Sequence, residues 1–139
     1  MTPVHLYTYG TLQLPQIMSR IVGREVRGRS ARLAGYARYR VADRVYPAIV
    51  EAPGAELSGV VYERLAPAEL QRLDDYEGPI YERRVVSCDV GGEALEACTY
   101  VLRAEYVDRL SAEPWDLEQF EREHLASYLA RISVTLRAP

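Results

Sequence analysis

Apolar and polar positions along the chain follow two periods, the two-residue period of strands and the three-to-four-residue period of helices. Residues 4–9 are rich in β-branched and aromatic side chains and predict a first strand that ends at Gly10. Apolar residues at positions 14, 17, 18 and 21 predict a short helix that stops before Gly23. Extended chain broken by one turn is predicted next: residues 29–41, residues 45–50, the turn at Pro53-Gly54 and a strand over residues 57–63.

The second half of the chain has more sharply bounded elements. A helix begins at Pro67, whose fixed φ suits the first helical position, and it ends at Gly78-Pro79. Residues 81–90 and 93–102 form the clearest strand pair, and a last helix spans about residues 114–132. Because strands outnumber helices and the clearest pair is antiparallel, the pattern favours a mixed α+β domain with a curled sheet or barrel over a doubly wound nucleotide fold.

The hairpin turn at Gly91-Gly92 fixes which residues of the two strands face each other. Across a two-residue loop, Cys88 pairs with Leu95 and Cys98 pairs with Val85, so the cysteines lie on opposite faces of the ribbon. This separation predicts two buried thiols and no disulfide.

Composition narrows the chemistry that the chain can perform. The 139 residues are expected to form one domain spanning 1–139, and all 17 basic residues are arginine, which excludes a phosphate-loop or Schiff-base lysine. No targeting segment or membrane-length apolar stretch is recognised, so a cytoplasmic protein without a membrane partner is expected.

Metal and nucleic-acid binding are both disfavoured. The net charge of −3 argues against general nucleic-acid affinity. Eight arginines between positions 20 and 44 are interpreted as a solvated face, with an anion-attracting role as the alternative. The side chains that could bind a metal through nitrogen or sulfur are scattered singly along the chain, so no metal and no cofactor are predicted. They are His5, His124, Cys88 and Cys98.

One residue breaks the pattern of its own helix. Leu70 and Leu73 define the buried stripe of the helix that begins at Pro67, and Glu77 occupies the next position on that stripe. Burial and the negative end of the helix dipole both raise the pKa of a carboxylate there, as a general acid or base near pH 7 requires. The alternatives are a fraying helix end that exposes the carboxylate, or an ion pair with an arginine at position 83 or 84.

The end of the first strand is a second candidate feature, the turn Tyr9-Gly10-Thr11-Leu12. A glycine directly after an apolar strand lets the chain turn tightly and expose successive backbone N–H groups. Such a turn can hold a carboxylate or a developing oxyanion, and the alternative is an ordinary turn that only ends the strand.

Five motifs follow one another between residues 4 and 102: Tyr9-Gly10-Thr11-Leu12, Tyr46-Pro47-Ala48-Ile49-Val50, Gly59-Val60-Val61-Tyr62, Leu73-Asp74-Asp75-Tyr76-Glu77-Gly78 and Tyr81-Glu82-Arg83. In this order and spacing they resemble the gamma-glutamylcyclotransferase-like family, in its avirulence-induced-gene-like branch. The resemblance implies a small mixed β-barrel with flanking helices and a substrate pocket at the glycine turn. In that pocket it implies a catalytic Glu77 and substrate contacts from Tyr9, Gly10, Thr11 and Leu12.

The resemblance also implies two pocket tyrosines, Tyr81 and Tyr100. The hairpin register places Tyr100 opposite Arg83, on the face that Tyr81 shares. The alternative is that both tyrosines only pack within their strands. His124, on the apolar face of the last helix, is interpreted as a core residue because no nucleophile motif accompanies it.

The implied reaction needs no enzyme nucleophile. A small γ-glutamyl substrate carries its own, the α-amino group, which attacks the γ-carbonyl and closes a five-membered ring. Glu77 would take a proton from the ammonium and return one to the leaving group, giving 5-oxoproline and a free amine or amino acid. A non-catalytic ligand-binding module and an acyltransferase-like relative are the alternatives. Residues 13–16 lack the basic and glycine residues that often follow the turn in gamma-glutamylamine enzymes, so the leaving amine stays open, as does the oligomeric state.

Overall fold

The computed structural model describes residues 4–137, with side chains through residue 132. Five strands, four helices and two short 3-10 turns follow one another in these described residues. In chain order they are β1 (Val4–Thr8), a 3-10 turn (Thr11–Gln13), α1 (Pro15–Val22), β2 (Gly28–Arg40), β3 (Pro47–Leu65), α2 (Pro67–Glu77), β4 (Tyr81–Val90), β5 (Glu93–Leu102), a 3-10 turn (Ala104–Arg109), α3 (Leu117–Glu123) and α4 (Leu125–Arg137).

The strands close into a barrel in the order β1-β3-β2-β4-β5. Neighbouring strands are antiparallel except β1 and β5, which run parallel where Leu6 lies beside Cys98. The contact between β2 and β4 is equally short and pairs Arg32 with Asp89. The predicted α+β class, a small mixed β-barrel with flanking helices, is confirmed.

The β4–β5 hairpin has the predicted register. Val85 faces Cys98, Cys88 faces Leu95, and Arg83 faces Tyr100. Both cysteines are buried free thiols. They belong to different apolar clusters, Cys88 to one built from all five strands and Cys98 to one that also includes the helices.

The long strand β3 differs from the prediction of two segments separated by a turn. It runs without reversal from Pro47 to Leu65 beside β2. The pairing passes from Ala34 with Glu56 to Tyr36 with Glu51, so that residues 52–55 lie opposite a single residue of β2. The turn predicted at Pro53-Gly54 is therefore wrong: these residues form a bulge within a continuous strand, because β2 runs along both halves and holds them in one direction.

The C-terminal helix predicted over about residues 114–132 is two helices. α3 ends at Glu123, because the φ of −129° at His124 leaves the helical range, and α4 begins at Leu125. The Asp116 side chain accepts the backbone N–H of Gln119 at 3.3 Å and caps the start of α3. The predicted single helix is wrong because the apolar spacing continues through His124 while the backbone does not. In the described residues no helix combines the length and apolar character needed to span a membrane.

Candidate active site

One pocket at the end of the barrel contains every residue that the sequence marked for the site. It encloses about 310 Å³ of empty space, its open mouth included. Four further residues line it that were not marked: Tyr7, Thr8, Tyr46 and Pro47. The predicted residues that line it are Tyr9, Gly10, Thr11, Leu12, Glu77, Tyr81 and Tyr100. Their roles in binding and catalysis stay predictions.

The glycine turn forms one wall of the pocket. After β1 the chain folds into a 3-10 turn in which the Gln13 N–H donates to the Gly10 carbonyl at 3.1 Å. The first N–H groups of such a turn have no partner within it, so they are available to a bound group. Gly10 is required by space as well, because a Cβ there would lie 2.9 Å from Cγ of Pro47, which lines the same pocket.

Helix α2 carries Glu77 into the pocket at its last residue. Buried Leu70 and Leu73 anchor the helix, and Arg72 donates to the Val22 carbonyl of α1 at 2.7 Å. Gly78 ends the helix with φ +88°, a conformation that favours glycine. Glu77 therefore lies on the stripe that Leu70 and Leu73 define and is part-buried at the end of the helix.

Both arginines considered as ion-pair partners for Glu77 are engaged elsewhere. Arg83 Nε lies 2.7 Å from Asp74 Oδ1, and Arg84 pairs with Glu82 at 2.6 Å and with Glu51 at 3.1 Å. Within residues 4–132, Glu77 has no ion pair. Burial first, and then the negative charge of Asp74, raise its pKa to about 8.

The pocket tyrosines donate their hydroxyl protons to fixed acceptors. Tyr9 donates to the Tyr100 carbonyl at 2.7 Å, and Tyr81 donates to the Pro47 carbonyl at 2.8 Å. Tyr100 donates to Asp74 Oδ1 at 2.7 Å. Burial raises the pKa of all three hydroxyls well above its ordinary value, so they are neutral at any physiological pH.

Two tyrosines outside the predicted set extend this environment. Tyr76 hydrogen-bonds Thr11 Oγ1 at 2.8 Å, and its hydroxyl lies near that of Tyr128 on α4. Burial, with the charge of Glu77 as the next cause, raises the pKa of Tyr128 to about 12. Tyr128 lies four residues after His124, on the same face of the predicted last helix, and spacing along one helix does not show which distant site that face approaches.

His124 and the cysteines lie apart from this pocket. The ring centroids of His124 and Phe120 are 6.0 Å apart. His124 lines a different pocket, together with Trp115. Neither cysteine lines the pocket of Glu77. The described residues contain no group of three or more His, Cys, Asp or Glu side chains arranged to hold a metal ion.

The fold and the pocket define a class: small closed barrels in which a part-buried glutamate, without an ion pair among the described residues, shares a pocket with a glycine turn. A family model described as gamma-glutamyl cyclotransferase, AIG2-like, matches residues 6–117, and the chain belongs to this family. AIG2-like protein D of Arabidopsis thaliana is 32% identical over 127 residues, which cover 89% of this chain and 83% of the relative. AIG2-like protein C of the same plant is 33% identical over 121 residues, which cover 86% of this chain and 69% of the relative.

Solved structures have the same fold. The solution structure of an Arabidopsis thaliana protein superposes with a TM-score of 0.73 at 28% identity, covering 98% of this chain and 83% of the other. A solved gamma-glutamyl cyclotransferase superposes with a TM-score of 0.66, covering 94% of this chain and 86% of the other. At 16% identity the second likeness is one of fold alone.

Proposed function

We propose that the chain is a γ-glutamylcyclotransferase that converts a small γ-glutamyl compound into 5-oxoproline and a free amine or amino acid. Membership of the gamma-glutamyl cyclotransferase, AIG2-like family supports this class of reaction. One observation carries the proposal: Glu77, with a pKa of about 8 and no ion pair among the described residues, shares a pocket with the glycine turn. A carboxylate in this state can both accept and donate a proton near neutral pH.

The glycine turn and the tyrosines bind the substrate. Backbone N–H groups of Gly10, Thr11 and Leu12 hold the substrate's α-carboxylate or the oxygen on which negative charge develops. Tyr81 and Tyr100 contact the γ-glutamyl group from the opposite wall. Holding the α-amino nitrogen close to the γ-carbonyl carbon makes the attack intramolecular, and this proximity lowers the barrier.

Glu77 moves the protons. Its carboxylate accepts one from the α-ammonium, and the neutral amine then attacks the γ-carbonyl and forms the ring C–N bond. As the original amide C–N bond breaks, Glu77 returns a proton to the departing nitrogen. Of the three ammonium protons, one stays on the lactam nitrogen and two leave with the amine, which departs as an ammonium ion. The reaction consumes no water and no cofactor.

A panel of γ-glutamyl amines, amino acids and peptides, assayed for 5-oxoproline, tests the proposal. We expect turnover of at least one member by the wild-type chain. Glu77→Gln should reduce kcat by at least a hundredfold, because the amide cannot transfer the proton, while the protein stays folded. Glu121→Gln makes the same change on an exposed position of α3 and should leave turnover unchanged.

Other outcomes would contradict the proposal. Folded wild-type protein that binds γ-glutamyl compounds without forming 5-oxoproline would be a binding module. A conjugate formed with an added acceptor, in place of free 5-oxoproline, would indicate acyl transfer. A near-normal rate in the Glu77→Gln variant would show that another group transfers the proton.

A further inference from the structure

We infer that Asp74 and Arg83 are positioning residues, which orient the Tyr100 hydroxyl so that its oxygen accepts a hydrogen bond from the substrate's α-ammonium group. This inference rests on the proposed function, because the ammonium belongs to the proposed substrate. The sequence motifs assigned neither residue a part in the site.

Three elements bring this chain of contacts together. Tyr100 donates to Asp74 Oδ1 at 2.7 Å, and Arg83 Nε approaches the same oxygen at 2.7 Å. Arg83 and Tyr100 are cross-strand partners in the β4–β5 hairpin, so the ladder register sets their spacing. Asp74 lies three residues before Glu77 on α2, which puts both carboxylates on neighbouring positions of one helix surface.

The direction of these hydrogen bonds determines what the pocket can bind. A phenol has one proton to donate, and Tyr100 gives its proton to Asp74. Tyr9 and Tyr81 give theirs to backbone carbonyls. The Tyr9 oxygen also accepts the backbone N–H of Ile49. The oxygens of Tyr81 and Tyr100 can therefore only accept hydrogen bonds from a ligand, which suits an ammonium group and disfavours a carboxylate. Without Asp74, Tyr100 could turn its proton toward the pocket and lose this selectivity.

Asp74 also acts on Glu77 through its charge. Besides Asp74 on the same helix, the described titratable groups that sense the charge of Glu77 are five tyrosine hydroxyls with raised pKa values: Tyr9 after β1, Tyr76 of α2, Tyr81 of β4, Tyr100 of β5 and Tyr128 of α4. Tyr7 of β1 and Tyr46, just before β3, line the same pocket. Asp74 contributes to the raised pKa of Glu77, after burial. Arg83 partly neutralises Asp74, so the two residues should shift the titration of Glu77 in opposite directions.

Variants of Asp74 and Arg83 should therefore shift the pH midpoint of kcat/KM in opposite directions. In the wild-type chain, kcat/KM should rise with pH to a midpoint near the Glu77 pKa of about 8, since the base form is needed. Asp74→Asn should move this midpoint down by about half a pH unit or more, and Arg83→Gln should move it up. Asp75→Asn, on an exposed neighbouring position of α2, is the matched control and should leave it in place.

A double-mutant cycle of Tyr100 and Asp74 separates the orienting of the Tyr100 hydroxyl by Asp74 from the effect of the Asp74 charge on Glu77. Tyr100→Phe should raise KM by roughly tenfold, by loss of one hydrogen bond to a charged group, with a smaller change in kcat. Asp74→Ala removes the acceptor that an asparagine would keep. It should raise KM in the wild-type background and add little in the Tyr100→Phe background, because its effect on KM passes through the missing hydroxyl. Additive effects on KM, or unmoved midpoints in both charge variants, would overturn the inference.

A readout without substrate separates this inference from the proposed function. The difference in unfolding free energy between wild type and Glu77→Gln, followed against pH by urea denaturation, reports the titration of Glu77. The same difference measured in the Asp74→Asn background should titrate at lower pH, and an unmoved titration would overturn the charge coupling. If this shift occurs and wild type forms no 5-oxoproline, the proposed function and the ammonium contact of Tyr100 both fail while the coupling stands.

Discussion

At the scale of a single residue, Glu77 combines three features that make its charge unfavourable. Its side chain is partly removed from water, Asp74 lies one helical turn away, and the helix ends directly after it, where the dipole is negative. No ion pair in the described residues offsets these three unfavourable effects on the Glu77 charge. The folded protein therefore holds the proton of Glu77 more tightly than an unfolded chain does.

This difference predicts how stability depends on pH. The pKa of Glu77 is about 8 in the folded protein and 4.5 ordinarily, so between these values the folded state binds more protons and stability falls as pH rises. A tenfold difference in proton affinity is worth about 1.4 kcal/mol, and we expect on the order of 3 kcal/mol to be lost in wild type by pH 9, allowing for partial exposure. Urea unfolding at pH 5, 7 and 9 measures it.

Glu77→Gln serves as the reference for that measurement. It removes this titration and leaves the other carboxylates in place, so the variant should gain stability relative to wild type across the same pH interval. Parallel pH curves for the two proteins would mean that Glu77 titrates alike in the folded and unfolded chains.

At the scale of elements, the pocket depends on how closely the turn after β1 approaches the start of β3. The gap between Gly10 and the Pro47 ring has no room for a Cβ atom. The Pro47 carbonyl also accepts the Tyr81 hydroxyl, so this contact links three walls of the pocket. A displacement at Gly10 should therefore disturb substrate binding and stability together.

Substitution of Gly10 tests this packing. Gly10→Ala should cost about 1–3 kcal/mol of unfolding free energy and raise KM, because the new methyl group would lie 2.9 Å from Pro47 Cγ. Adding Pro47→Ala removes the clashing ring atoms and keeps the carbonyl that Tyr81 uses. The double variant should recover part of both losses in urea unfolding and in kinetics, and a purely additive result would contradict a steric origin.

The elements that sequence predicted best were those governed by local geometry. A two-residue glycine turn fixes its own register, so the partners of Cys88 and Cys98 followed directly. The Pro53-Gly54 bulge did not follow, since the partner strand and not the local sequence decides whether the chain reverses there. Likewise, the position of Glu77 in its helix indicated burial, but the contact of Asp74 with Tyr100 depends on how α2 lies across the hairpin.

At the scale of the whole molecule, the C-terminal helices pack next to the pocket that is formed by the barrel and the end of α2. Beyond the break at His124, Tyr128 of α4 packs edge-on against Phe120 with ring centroids 5.1 Å apart. From there Tyr128 reaches Tyr76 and the field of Glu77. Residues more than fifty positions apart in the sequence thus lie close together at this site. The periodicity of separate segments does not predict this proximity.

Phe120 should therefore affect catalysis as well as stability. It is 2% exposed and lies between Trp115 and Tyr128. Phe120→Leu should lower the unfolding free energy by about 1–2 kcal/mol and, by loosening Tyr128, lower kcat/KM several-fold. Leu33→Val, in the strand cluster and outside the pocket lining, should cost about 1 kcal/mol and leave kcat/KM unchanged. Equal kinetic losses in both variants would indicate a general effect of destabilisation, whereas a loss confined to Phe120→Leu ties the C-terminal helices to the active site.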